Sequence, residues 1–351
     1  MLSLGEVAIA KPAVQAALSG YSDLPMRTVA REHGAAYTIH EVVLDELVLQ
    51  KGKLQRRILD VPEHDHPVGG QLMGSRPETF GAAARELVRA GFDVVDINFG
   101  CPVNKVLGRH RGGWLLSEPE TALAIVESVV QSVQGDAPVT VKMRRGYDDS
   151  PTAEGAFFTI LEGAIARGIA GVTVHGRTVA QKYVGPSRWE FVQRVKREVG
   201  DFTVLGSGDL FSPFDVVDML QRTGVDGVTI ARGCIGNPFV FRQVDALLAG
   251  ETPLRPTCGE QRTALLRHWE LARGYYGKER LAVSHLRTHA IKYAQYHREA
   301  EWARERFVRV RDAAELEARI DEVFAARFDE GVARELRRED AVVPALQSCA
   351  E

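Results

Sequence analysis

Short apolar runs alternate along this chain with longer segments whose apolar residues recur at helical spacing. Up to about residue 245 the runs cover residues 13–18, 36–43, 68–73, 94–97, 139–143, 171–175, 203–205 and 227–230. Helical patterns at 77–90, 119–133, 154–167, 189–199 and 213–223 lie between them, often opened by Ser or Pro. Uninterrupted apolar strands belong to a parallel sheet covered on both faces. Eight such repeats over about 240 residues predict an α/β fold, a (β/α)8 TIM barrel rather than a doubly wound sheet. After Pro253 and Pro256 strand signals cease, and helical patterns at 261–275, 282–297 and 313–328 predict a small C-terminal all-helical domain. The expected division is a barrel over 1–245, a helical domain over 246–330 and a flexible tail over 331–351.

Polar and glycine-rich residues follow nearly every strand: Ser19-Gly20, Gln71, Asn98 with Gly100-Cys101, Lys142 to Arg144, His175-Gly176-Arg177, Gly206 to Asp209, and Arg232-Gly233. In a barrel these strand tips converge on the C-terminal rim, where such enzymes keep their sites. Asp96 to Val106, DINFGCPVNKV, is the most informative stretch, because it sets a cysteine at the mouth of a strand. Cys101 is therefore a candidate acid or nucleophile.

The net charge of -3 means that the chain is no polycation, so any nucleic-acid contact needs a local basic surface. No apolar run approaches the roughly 20 residues of a membrane span. Glu6 and Lys11 make the N-terminal stretch poor signal-peptide material, so a cytoplasmic location is expected. Cys101, Cys234, Cys258 and Cys349 show neither Cys-x-x-Cys nor zinc-site spacing, and no metal is expected. The last three read as packing or surface residues.

Gly206 to Asp209 and Ala231 to Gly233 follow the last two strands, the usual phosphate site of this fold. Glycines let backbone N–H groups approach phosphate oxygens, and Arg232 adds a charged fork. No Gly-x-Gly-x-x-Gly lies between a strand and a helix, so a mononucleotide is expected, and flavin mononucleotide (FMN) fits. Lys142 would stabilise negative charge near nitrogen 1 of reduced flavin, Gln71 would bond the uracil-like ring edge, and His175 would contact the ring or the ribityl chain.

These motifs together resemble the dihydrouridine synthases, flavin enzymes that reduce uridine in transfer RNA. The resemblance runs through GQLMGSRPETF from Gly70, DINFGCPVNKV from Asp96, VTVKMRRG from Val139, TVHGRT from Thr173, GSGD from Gly206 and DGVTIARGCIGNPFVF from Asp226. It implies Cys101 as proton donor. It implies flavin contacts at Ala17, Leu18, Ser19, Gln71, Lys142, His175, Ser207, Gly208, Asp209, Ala231 and Arg232, and it sets Asn98 and Arg144 near substrate and flavin. The first-strand segment departs from the family's Ala-Pro-Met-Ala-Gly, reading Ala16-Ala17-Leu18-Ser19-Gly20. Asn104 stands where lysine is common, Arg109 to Gly113 departs from a more glycine-rich loop, and Lys292 replaces a tryptophan of the helical domain.

The implied reaction adds hydride from flavin nitrogen 5 to uracil carbon 6 and a proton from Cys101 to carbon 5. The base must first leave the RNA stack, at a few kcal/mol. Lys105, Arg109, Arg111, Arg144, Arg145, Arg177, Arg287 and Lys292 are candidate substrate-backbone contacts. NADPH or NADH would visit the same cavity to recharge the flavin. Transfer RNA is the expected partner, with ribosomal RNA open, and no obligate protein partner or membrane is indicated. A flavin barrel acting on a free pyrimidine, of the dihydroorotate or dihydropyrimidine dehydrogenase kind, is the alternative, but it needs no helical domain after residue 260. A non-catalytic RNA-binding barrel would not need Cys101, Lys142, His175 and Arg232 together.

Overall fold

The computed structural model describes residues 2–343. Cys349 lies outside the described residues. An antiparallel hairpin, β1 (Leu2–Leu4) with β2 (Val7–Ile9), precedes the barrel. The barrel strands are β3 (Ala13–Gln15), β4 (Thr38–Ile39), β5 (Val43–Leu44), β6 (Val68–Met73), β7 (Val94–Phe99), β8 (Val139–Arg144), β9 (Gly171–His175), β10 (Val204–Ser207) and β11 (Gly227–Ile230). All pair in parallel, β11 pairs with β3, and β4 pairs with both β3 and β6, so the sheet closes. The apolar run at 36–43 forms two pieces, β4 and β5, either side of His40. The barrel therefore has eight strand positions, the second of them broken.

Some of the helices start where a short polar residue accepts an orphan N–H group. Ser150 caps Pro151–Ala166, and Ser212 with Asp215 forms a capping box on Pro213–Thr223. Proline occupies the first helical turn in both, where its missing N–H is harmless. The barrel core is aliphatic, with Val95, Ile97, Val141, Val172, Val174 and Val228 fully buried.

A separate apolar cluster, including Trp269, Leu286, Phe307, Ile320 and Phe324, forms the core of the helical unit. Its helices are Cys258–Tyr276, Glu279–Tyr293, Ala300–Val308 and Ala313–Val323. The third of these was not apparent from the sequence pattern. Helix Val240–Leu248 packs on helix Pro213–Thr223 of the barrel and extends past residue 245. Tyr276 Oη donates to Asp23 Oδ2 at 2.6 Å and Arg267 pairs with Glu32 at 3.0 Å, joining the helical unit to the barrel.

Part of the segment expected to be a flexible tail makes defined contacts with the rest of the protein. Leu336 N donates to Pro253 O at 2.8 Å, Glu335 bridges Leu254, and Arg338 pairs with Asp218 at 2.7 Å. Backbone pairing and an ion pair to the barrel hold this segment, which its charged composition alone did not reveal.

Candidate active site

The C-terminal ends of the strands surround a cavity of about 310 Å3. Its walls include Ala17, Leu18 and Ser19 after β3, Gln71 on β6, Asn98 and Cys101 at the end of β7, Lys142 and Arg144 on β8, and His175 on β9. Ser207 to Asp209 after β10 and Ala231-Arg232 after β11 complete it. All the residues expected to hold a flavin, together with the candidate acid, therefore face one space.

Cys101 sits just past β7 on a loop held from three directions. Asn98 Oδ1 accepts the N–H groups of Gly100 at 3.0 Å and Cys101 at 3.1 Å. The Cys101 carbonyl accepts from Gly113 N at 3.0 Å. A Cβ on Gly112 would stand 2.8 Å from Cys101 Cβ, and its φ of 59° suits glycine, so Gly112-Gly113 lets this loop close on the cysteine. Arg144 Nε donates to the Gly100 carbonyl at 2.9 Å.

Burial pushes the Cys101 thiol above its ordinary range, against the Val103 N–H and the cations Arg144 and Lys142, which pull it down. The thiol is thus protonated at neutral pH. Burial, and then the neighbouring Arg144, bring Lys142 down to about 8, while Asp96 and Cys101 oppose the shift. His175 Nδ1 accepts from Arg177 N at 3.1 Å, and burial with the surrounding cations drives its pKa well below the usual range. It is neutral, with Nε2 left as its donor.

The phosphate-type turn is built on backbone. Gly208 has φ 109°, and a Cβ there would come 2.9 Å from Ser187 Cβ and 3.1 Å from His175 Cε1, so only glycine fits between these two side chains. Asp209, in the left-handed region at φ 58°, accepts from Ser187 N at 2.7 Å and Arg177 Nη2 at 2.8 Å. Arg232 lies 4.9 Å over the Phe211 ring and 5.3 Å over the Tyr183 ring, with Asp209 at 3.7 Å. Its planar cation is thereby fixed at the cavity wall.

A second cavity of about 430 Å3 opens beside the first and shares Ser19, Val42, Met73 and Val106 with it. Lys105, Arg109 and Arg111 line it from the barrel, and Tyr275, Tyr276 and His285 from the helical unit. Arg57 lies 5.4 Å over the Tyr276 ring, on which His285 also stacks. Arg57 and this aromatic wall escaped the sequence reading. The adjacent tyrosines closing a helix were their only signal.

Several basic candidates belong elsewhere. Arg177 is 3 % exposed and donates to the Gly185 carbonyl and Asp209, so it braces a loop rather than reaching a phosphate. Arg145 likewise bonds Gly176 O at 2.9 Å and Asp149. Arg144 lines the first cavity, but its guanidinium also serves three backbone carbonyls. Arg287 donates to Val310 O at 3.1 Å, and neither it nor Lys292 lines either cavity. The Lys292 backbone packs instead against Gly236, whose φ of 73° permits the approach. Among the described residues no cluster could hold a metal ion.

Comparison with known proteins places this geometry. The family model described as Dihydrouridine synthase (Dus) matches residues 14–328. A probable tRNA-dihydrouridine synthase of Mycobacterium tuberculosis is 34 % identical over 83 % of this chain and 77 % of its own length. The probable tRNA-dihydrouridine synthase 1 of Synechocystis sp. is 31 % identical, covering 92 % and 89 % respectively. Among solved structures, an old yellow enzyme homologue from Zymomonas mobilis shares the barrel with a TM-score of 0.53 at 14 % identity, covering 74 % of this chain and 94 % of that one.

Proposed function

The chain belongs to the dihydrouridine synthase family of oxidoreductases, and from that premise we propose that it reduces uridines of transfer RNA to 5,6-dihydrouridine, with FMN as bound cofactor and NADPH or NADH as transient reductant. The observation that carries this reading is the protonated Cys101 thiol lining one cavity with Lys142, His175 and the glycine turns.

The residues fit an FMN. A cavity of about 310 Å3 lies within the roughly 300–1,000 Å3 of small-molecule sites. Gly208 stands where a Cβ would strike Ser187 and His175, so the turn at this wall is bare backbone, and Arg232 lines the same cavity, as a phosphate requires. Ser207 to Asp209 and Ala231-Arg232 would hold the phosphate end. Ala17 to Ser19, Gln71, Lys142 and His175 would hold the ring system and ribityl chain. When bound and reduced, FMN supplies a hydride for uracil carbon 6.

The chain's own residues do the rest. Hydride addition at carbon 6 moves the carbon 5–carbon 6 π electrons toward the carbon 4 carbonyl, leaving carbon 5 to gain a proton. The Cys101 S–H bond breaks, its proton goes to carbon 5, and the thiolate is reprotonated from solvent. Lys142 supplies positive charge where the ring system takes up electrons. Arg144 holds the loop that carries the thiol. The target base must turn out of the RNA stack, and the second cavity supports this with Lys105, Arg109 and Arg111 for phosphates and tyrosines for stacking. No described helix is long and apolar enough to cross a membrane, and a cytoplasmic enzyme meets both transfer RNA and NADPH.

The test is to purify the protein, identify its flavin by mass, and follow NADPH oxidation with unmodified transfer RNA, ribosomal RNA or free pyrimidines. Oxidation dependent on transfer RNA supports the reading. Turnover with free uracil or dihydroorotate alone would move the chain to the free-pyrimidine alternative.

A further inference from the structure

Asp96 lies on β7 beneath the cavity, 2 % exposed, and does not line the cavity itself. Its Oδ1 accepts from Thr140 Oγ1 at 2.5 Å and its Oδ2 from Gln71 Nε2 at 2.6 Å. A carboxylate has only acceptors, so it forces the Gln71 amide to present nitrogen downward and oxygen outward. That oxygen accepts from Asn98 Nδ2 at 2.7 Å. Asn98 is thereby turned so that its own oxygen, not its nitrogen, meets the N–H groups of Gly100 and Cys101. Each amide could be reversed in isolation, and the fixed polarity at Asp96 removes that freedom along the whole line.

We propose that Asp96 is a positioning residue for proton transfer, acting through Gln71 and Asn98 to hold Cys101 where it meets the substrate. The inference rests on the reading of Cys101 as proton donor. Burial raises the Asp96 pKa, while the bonds from Thr140 and Gln71 and the charge on Lys142 lower it. Those same partners favour the acceptor-only form that the relay needs. In a buried network a single reversed amide leaves donors facing donors down to the cysteine loop.

Three variants test this in the full-length flavin-loaded protein and in its flavin-free form. Asp96→Leu removes the polarity at the source. Asp96→Asn keeps an acceptor for Gln71, because the Thr140 hydroxyl can rotate to accept from the new amide. Gln71→Leu cuts the relay and stands in for Asp96→Leu should that variant not fold. The first readout is the pH profile of Cys101 alkylation by iodoacetamide in the flavin-free protein, followed on the Cys101 peptide by mass spectrometry. Asp96→Leu and Gln71→Leu should be alkylated faster near neutral pH, with the midpoint moved toward that of an ordinary thiol. Asp96→Asn should keep the wild-type profile.

The second readout separates the half-reactions. Asp96→Leu should slow uridine reduction about tenfold or more, the scale of a slightly misplaced reacting group, while flavin reduction by NADPH changes little. A Cys101 profile unchanged in folded Asp96→Leu or Gln71→Leu overturns the relay, as does an Asp96→Asn profile no different from that of Asp96→Leu. Failure of the wild-type protein to form dihydrouridine would refute the functional reading instead, leaving the alkylation result to judge the relay.

Discussion

Arg144 Nε donates to the carbonyl of Gly100 at 2.9 Å, so a cation at the tip of β8 fastens the residue just before the candidate acid at the tip of β7. The same guanidinium reaches the carbonyls of Thr178 at 2.8 Å and Lys182 at 2.7 Å, joining the cysteine loop to the loop after β9. A lysine carries the charge but not the planar fork that spans these carbonyls. Arg144→Lys should lower the rate of uridine reduction by about 10- to 100-fold, with a smaller change in KM, because positioning is lost while charge stays. Steady-state kinetics separates the two parameters.

The depressed Lys142 pKa predicts a pH limb. Below about 8 the ammonium is charged, and above it the charge is lost. Single-turnover reoxidation of reduced enzyme by transfer RNA should hold level at lower pH and fall as pH rises through about 8. Lys142→Met should be slower and lack that limb. The Cys101 limb lies higher, because burial raises the thiol, and it should survive in Lys142→Met.

Gly208 guards the phosphate end. A side chain there meets Ser187 and then His175, at a backbone φ of 109° that β-branched residues avoid. Gly208→Val should raise the FMN dissociation constant at least about tenfold, roughly 1.4 kcal/mol. Fluorescence titration of flavin-free protein measures this, and an unchanged far-ultraviolet spectrum separates it from unfolding.

Stability has its own lever away from the site. Asp65 is fully buried and accepts from Arg27 Nε at 2.9 Å and Nη2 at 2.5 Å, with Arg31 adding a third contact at 3.4 Å. Removing the carboxylate strands a guanidinium that is only 1 % exposed. Asp65→Leu should cost about 3–5 kcal/mol, read as a lower urea midpoint, and Arg27→Met together with Asp65→Leu should recover much of that loss.

The barrel was legible because its strands are apolar runs between segments of helical spacing, and β6, β9 and β11 fall where the pattern set them. The residues gathered at the rim, Gln71, Asn98, Cys101, Lys142 and His175, were legible for a related reason. A parallel barrel brings every strand tip to one face, so one-dimensional position fixes the end at which a residue lies. The arginines were not legible in this way. Arg177 and Arg144 have the composition of RNA contacts, yet Arg144 spends its donors on carbonyls of the loop after β9, and Arg177 on the Gly185 carbonyl and the Asp209 carboxylate. The aromatic wall of Tyr275 and Tyr276 depends on how the helical unit docks through Asp23, a contact that no periodicity encodes. The helix Ala300–Val308 was hidden by its charge-rich sequence, and it is held by Phe307 in the core of its unit.

The claim on which the rest turns is that the Cys101 thiol protonates a flavin-reduced uridine. Wild-type protein and Cys101→Ala, each loaded with FMN, would be incubated with NADPH and unmodified transfer RNA, and dihydrouridine mapped by mass spectrometry. The wild type should form it at defined positions. Cys101→Ala should retain flavin and its reduction by NADPH, yet form dihydrouridine at least about 100-fold more slowly, the scale of a lost general acid. Equal rates from the two proteins would contradict the account.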